Sequence, residues 1–328
     1  MRRRNFIKLI GGGAIAWPLG AHAQQTEKTA KIPRIGVLWH AGSAEEENVY
    51  LPILTKAFND LGYIEGKNIE LDHRFPAEQP DRFQALAREL VGSKVDVIVA
   101  TTAMGALAVK QATSTIPTVF VIVADPVGDR LVESLGHPGG NMTGLSLMGV
   151  DLIGKRLAQF KEAVPNLSRV ALIFDPREPT SQRVVSAYFN AAKTLGLSLR
   201  PVEIASPDGL EEAFFAIARA GEDGVAVVAS SMMVNERARI GSSAMAQKMP
   251  AVVGVADMVT LGVLMSYGSD LADFVRKSVV LVDRILKGEK PANLPVEQPT
   301  HFKLVINLRT AKALGLTSHL RCWLRPTR

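Results

Sequence analysis

Gly262-Val263-Leu264-Met265-Ser266-Tyr267-Gly268 reads as a short apolar strand held between two glycines. Just downstream, 271–287 has the pattern of a long amphipathic helix, with Leu271, Val275, Val279, Val282 and Leu286 on one stripe. A proline-bearing stretch, 290–300, then leads to a further strand at 302–308. Upstream lie eight short β-branched apolar runs, at 35–38, 69–71, 95–99, 119–123, 170–174, 199–204, 225–228 and 252–255. Eight βα units define a closed barrel, so those runs alone leave a barrel open as the alternative. The ninth and tenth strands do not fit it. They fit a chain that crosses more than once between two open sheets.

Helical patterns separate the runs, such as Phe83, Leu86 and Leu90 on one face, or Ile153, Leu157, Phe160 and Val164 on another. Continuous apolar strands between helices imply parallel sheets covered on both faces. The first four runs start 34, 26 and 24 residues apart, and the second four 29, 26 and 27 apart, so two halves share one plan. His137-Pro138-Gly139-Gly140-Asn141-Met142-Thr143-Gly144 breaks the rhythm between them. The expected fold is α/β: two Rossmann-like lobes with parallel sheets, joined by hinge crossings at 143–148, 262–268 and about 293–300. Lobe one is expected at 33–145 plus 267–294, and lobe two at 146–266 plus 295–317.

The front of the chain carries an address. Arg2-Arg3-Arg4-Asn5-Phe6-Ile7-Lys8 precedes an apolar stretch and Ala21-His22-Ala23, the basic region, apolar region and small-x-small cleavage site of a secretory signal. The arginine pair followed by Asn-Phe-Ile-Lys resembles a twin-arginine translocation signal. The apolar stretch falls short of the ~20 residues needed to span a bilayer, and no cysteine stands at the cleavage point to take a lipid. Residues 1–23 are therefore expected to be removed and 24–32 to act as a linker, leaving the rest free in a Gram-negative periplasm.

Arg2, Arg3, Arg4 and Lys8 also carry most of the net charge of +6. What remains is close to neutral and has no polyanion footprint, which excludes nucleic acid as a partner. With 47% hydrophobic and 21% charged residues, the chain has the balance of a globular protein able to bury a full core. Its single cysteine, Cys322, rules out an intramolecular disulfide and a cysteine metal site.

In open parallel sheets, ligands bind beyond the carboxyl ends of the strands. The residues that follow the predicted strands are Trp39 and His40, Thr101 and Thr102, Asp125, Asp175, Ser230 and Ser231, and Asp257. Tyr267 lies at a predicted crossing. Thr101 and Thr102 suit a helix N-cap whose free N–H groups favour an anion. Asp125, Asp175 and Asp257 suit a ligand ammonium, and Trp39 and Tyr267 supply stacking surface. Each also has an ordinary role: Ser and Thr are favoured N-caps without any ligand, and Asp-Pro is a turn signal. Their shared position says more than any one of them.

Signatures of chemistry are missing. There is no His-x-x-x-His pair, no Gly-x-Ser-x-Gly elbow, no phosphate-binding Gly-x-x-x-x-Gly-Lys-Ser/Thr loop, and no Gly-x-Gly-x-x-Gly after the first strand. A binding protein without metal, cofactor or catalytic residues is expected, with an enzyme on a related scaffold as the weaker reading.

Several stretches resemble a known family. They are Leu61-Gly62-Tyr63-Ile64-Glu65-Gly66-Lys67-Asn68-Ile69, Val95-Asp96-Val97-Ile98-Val99-Ala100, and Asp125-Pro126-Val127-Gly128 with Pro138-Gly139-Gly140-Asn141-Met142-Thr143-Gly144-Leu145-Ser146. To these are added Leu264-Met265-Ser266-Tyr267-Gly268, and Pro295-Val296-Glu297-Gln298-Pro299-Thr300 running into Leu304-Val305-Ile306-Asn307-Leu308. From about residue 33 to 316 the chain resembles ABC-transporter substrate-binding proteins, among them tryptophan- and tyrosine-type binders of periplasmic-binding-protein class I. The resemblance implies two lobes with three crossings and a small polar ligand, amino-acid-like by preference. It further implies delivery of the ligand to an ABC permease; a monomer is expected, with a ligand sensor of the same fold as the alternative. Two places depart from it: the basic tail 318–328, which a change of reading frame near 317 would explain, and the charged Asp175-Pro176-Arg177-Glu178-Pro179.

Overall fold

The computed structural model describes residues 31–316; the signal-like segment, nearly all of the linker and the basic tail lie outside the described residues. The first half runs β1 (Arg34–Leu38), α1 (Tyr50–Asp60), β2 (Glu70–Arg74), α2 (Pro80–Gly92), β3 (Val97–Thr102), α3 (Ala103–Ala112), β4 (Thr118–Val123) and β5 (Met142–Ser146). These strands form one parallel sheet in the order β2-β1-β3-β4-β5. The second half runs α4 (Ile153–Ala163), β6 (Arg169–Phe174), α5 (Ser181–Leu195), β7 (Ser198–Glu203), α6 (Leu210–Arg219), β8 (Gly224–Val227), α7 (Ser231–Asn235), α8 (Arg237–Ala246), β9 (Ala251–Val253) and β10 (Met265–Gly268). The chain then forms α9 (Leu271–Leu286), β11 (Lys303–Ile306) and α10 (Leu308–Ala313).

The second sheet has the order β11-β10-β9-β8-β6-β7, parallel except for β11, which pairs antiparallel with β10. Without β11 the strand order repeats that of the first sheet. The equal spacing of the apolar runs therefore reflects one topology used twice, and neither sheet closes into a barrel.

Alternation along the strands explains why both faces are covered. Val97, Val99, Val119 and Val121 point into a core shared with α1 and α9, while Ile98, Ala100 and Phe120 point into one shared with α2 and α3. In the second sheet, Val170, Leu172 and Phe174 meet Leu157 and Phe160 of α4 and Tyr188 of α5. The helix signals are local. Pro80 stands in the first turn of α2, Thr102 caps α3 by accepting from Gly105 N at 3.2 Å, and Gly196, with φ 66°, ends α5.

The chain passes between the sheets three times. It leaves the first after β5, returns after β10 to place α9 against β3, β4 and β5, and leaves again to form β11. Residues 142–146, read from sequence as turn and crossing, are a full strand of the first sheet. Gly144 permits this, because a Cβ there would collide with the Phe120 carbonyl of β4. Pairing also sets the borders differently from the sequence reading. Tyr267 and Gly268 pair with Leu304 and Lys303 in the second sheet, and Glu297 bridges Leu145 of the first. The three passages touch one another: Ser269 Oγ donates to Leu147 O at 3.3 Å, and Ser146 N to Glu297 O at 2.9 Å.

Candidate functional site

A cleft of about 1030 Å³, counting the space open to solvent, lies between the two sheets. Its walls come from the carboxyl ends of strands on both sides. From the first lobe come His40 after β1, Thr102 at the end of β3, Ala124 after β4 and Leu147 after β5, joined by Tyr50 of α1. From the second come Glu178 after β6, Ser230 and Ser231 after β8, and Gly254 after β9, with Arg156 of α4 and Val184 and Tyr188 of α5. Gly268 and Ser269 close it at the middle crossing. The two lobes contribute equivalent devices. Thr102 ends β3 and Ser230 stands three residues beyond β8, and each caps the next helix, Ser230 Oγ accepting from Met233 N at 3.2 Å.

The residues expected from the sequence divide in two. His40, Thr102, Ser230 and Ser231 line the cleft. The others are held elsewhere. Trp39 is buried, with Nε1 donating to His73 Nδ1 at 3.0 Å. Burial lowers the pKa of His73, which suits a neutral acceptor nitrogen. Thr101 Oγ1 donates to Leu38 O at 3.1 Å. Asp175 is buried in a forked pair with Arg177, at 2.9 and 2.7 Å. Asp125 accepts from Gly128 N at 2.8 Å, the turn its Asp-Pro sequence signals. It also pairs with Arg183 of α5 at 3.2 Å, so it joins the lobes without lining the cleft. Tyr267 packs its ring on Phe302 and offers the cleft wall only its carbonyl, which accepts from Arg156 Nε at 2.9 Å. Asp257 sits in the short 3-10 turn Ala256–Leu261; its side chain is outside the described residues.

The sequence reading missed Arg156, Glu178 and Tyr188. Arg156 is only 6% exposed, and its Nη1 donates to the Tyr188 hydroxyl at 3.0 Å. Glu178 Oε1 accepts from Ser231 N at 3.2 Å. Burial pushes its carboxyl up to about 7, with Glu78 and Asp175 adding to the rise and the Ser231 N–H and His40 opposing it. His40 sits opposite, its Nδ1 2.7 Å from Glu78 and its Nε2 3.4 Å from Glu47. Burial alone would lower His40. The bond to Glu78 and the charges of Glu47, Glu78 and Glu178 outweigh it and leave its pKa raised. Asn235 of α7 reaches across the lobes to the same Glu78 oxygen at 2.9 Å.

Two rims therefore tie the lobes together: Asn235 to Glu78 on one side, and Arg183 to Asp125, Asp129 and the Gly128 carbonyl on the other. Such an arrangement encloses and orients a small molecule. No cluster of His, Cys, Asp and Glu among the described residues could hold a metal ion, and no helix among them is long and apolar enough to cross a membrane.

The comparisons with known proteins agree with this geometry. A tyrosine-binding protein of Clostridioides difficile is 28% identical over 263 residues, covering 80% of this chain and 75% of the relative. A conserved domain protein from Vibrio cholerae superimposes with a TM-score of 0.81 at 28% identity, over 87% of this chain and 95% of the other. The ABC domain from Streptococcus pneumonia in complex with L-Trp does so with a TM-score of 0.76 at 24% identity, over 86% and 94%. The family described as ABC transporter substrate binding protein matches residues 51–326, and with that match spanning most of its length the chain belongs to this family of substrate-binding proteins.

Proposed function

We propose that the chain is the periplasmic receptor of an ABC importer, which captures a small amino-acid-like ligand between its lobes and delivers it to a membrane permease. The observation that carries the reading is the cleft itself, whose walls come from the strand ends of both sheets and whose rims are bridged by Asn235–Glu78 and Arg183–Asp125. Three chain passages between the sheets give such a pair of lobes a hinge, and ligand contacts from both sides favour the closed arrangement. The basic, apolar and Ala-His-Ala segments at the front support export and release near Ala23. The relatives described as binding tyrosine and L-Trp support the ligand class. His40, Thr102, Ser230 and Ser231 are assigned as ligand contacts, with Asp125 acting on closure.

The test is thermal unfolding of the purified protein against L-amino acids and small organic acids. A true ligand raises the melting temperature with the logarithm of its concentration over its dissociation constant. A flat response across the whole panel would remove the proposal.

A further inference from the structure

Among the described residues, Arg156 is a buried cation without an anion. Among the described residues no carboxylate pairs with it, although its 6% exposure would ordinarily demand one. Its placement is built rather than incidental. Nε is fixed by the Tyr267 carbonyl at 2.9 Å and Nη1 by the Tyr188 hydroxyl at 3.0 Å, whereas Nη2 has no hydrogen-bond partner among the described residues. Gly254 makes the room: a Cβ there would stand 2.8 Å from Nη2 and 3.1 Å from Cζ. Arg156, Tyr188 and Gly254 all face the cleft.

We infer that Arg156 is the carboxylate anchor of the cleft, so that the ligand is an organic acid whose carboxylate meets Nη2 and whose apolar body extends toward Glu178. This rests on the cleft being the ligand site. Glu178 precedes α5, Thr180 and Val184 follow it along the wall, and Tyr188 beside Arg156 lies two turns further on. At 1.5 Å per residue, Thr180 and Tyr188 are about 12 Å apart along the helix. Among the described lining residues, Arg156 and Glu178 thus stand toward opposite ends of the α5 wall, with Val184 between them along the helix. An α-ammonium lies within about 3 Å of its own carboxylate by ordinary bond lengths, and among the described residues no side-chain carboxylate stands at the Arg156 end to receive it. The described residues thus build a place for the carboxylate and none for the amino group.

The experiment is isothermal titration of the full-length protein with trios of an amino acid, its desamino acid and its decarboxylated amine, on phenol, indole and isobutyl bodies. In a trio that binds, the desamino acid is expected within about tenfold of the amino acid, and the amine to bind not at all. Arg156→Gln, checked for folding by near-ultraviolet circular dichroism, is expected to weaken both acids by about 10- to 100-fold, the range for losing a charge-assisted hydrogen bond. Arg156→Lys restores the charge without the planar fork and is expected in between. An amine that binds as tightly as its acid, or a folded Arg156→Gln with unchanged affinity, would overturn the anchor and leave the cleft reading standing. If Arg156→Gln does not fold, the trio comparison on the unaltered protein decides alone. A protein that binds no member of any trio would overturn both.

Discussion

Glu178→Gln should make the ligand-free protein more stable above neutral pH. Burial moves this carboxyl from the ordinary 4.5 to about 7. The folded protein therefore holds the proton more tightly than the unfolded chain does. Stability falls as pH rises from about 4.5 to about 7 and is level beyond. At about 1.4 kcal/mol per pH unit the difference comes to about 3 kcal/mol. That figure is an upper value, because Glu178 keeps part of its surface open to the cleft. Gln preserves the oxygen that accepts from Ser231 N and removes the charge, so the variant should match the parent at pH 4.5 and exceed it at pH 8. The gain shrinks somewhat through His40, whose proton is held partly by Glu178 and which itself stabilises the fold only while protonated. Urea unfolding at pH 5 and pH 8, followed by the fluorescence of buried Trp39, measures this directly provided the slope with denaturant is unchanged. In heat the full value corresponds to about 6 °C, at about 2 °C per kcal/mol for a chain of this size. Parent and variant curves that run parallel from pH 5 to pH 8 would show that Glu178 is not a buried acid at all.

Two glycines of the cleft should behave oppositely. Gly254→Ala places a methyl 2.8 Å from Arg156 Nη2, which displaces a side-chain end and no backbone, and should cost ligand affinity with a modest loss of melting temperature. Gly268→Ala drives a methyl into the Gly254 carbonyl of the neighbouring strand and should lower the melting temperature sharply; equal effects would refute the distinction. Arg183→Ala removes an exposed bridge to Asp125 but also the partner of the buried Asp129 carboxylate, so stability should fall, by no more than the about 1–3 kcal/mol of an unsatisfied buried group. The ligand should also dissociate faster in stopped flow and the radius of gyration rise in X-ray scattering, and an unaltered off-rate and radius would exclude a latch. Phe160→Ala, in the second lobe's core, should cost about 3–5 kcal/mol in urea unfolding; a much smaller loss would mean that this core collapses around the gap.

Most of the fold was legible because parallel strands covered on both faces are unbroken apolar runs. Val97 and Val99 serve one helix layer and Ile98 the other, so every position is apolar and the run stands out. Met142-Thr143-Gly144-Leu145-Ser146 was not legible as a strand, since glycine and hydroxyl residues at a close strand contact read locally as a turn. The site was half legible. The rule of strand ends found His40, Thr102, Ser230 and Ser231, because those positions follow from topology alone. It could not tell them from Thr101 or Asp175, whose partners are distant or local groups invisible in a linear reading. Arg156 did leave a signal. It lies in phase with Ile153, Leu157 and Phe160 on α4, a charge on a stripe that is otherwise buried. Tyr188 leaves the same kind of trace beside Val184 and Ala192 on α5.

The triple passage of the chain bears on the order in which the molecule can assemble. The first sheet is not fully roofed until α9 is made, and α9 follows every strand of the second sheet except β11. A nascent chain ending before Leu271 would leave Val97, Val99, Val119 and Val121 with only α1 to cover them on one side. The first lobe must therefore wait, partly open, while its partner is synthesised, and its completion depends on contacts very distant in sequence, which slows folding. Nor can a single cut separate the halves, because a break at any one passage leaves two others holding them.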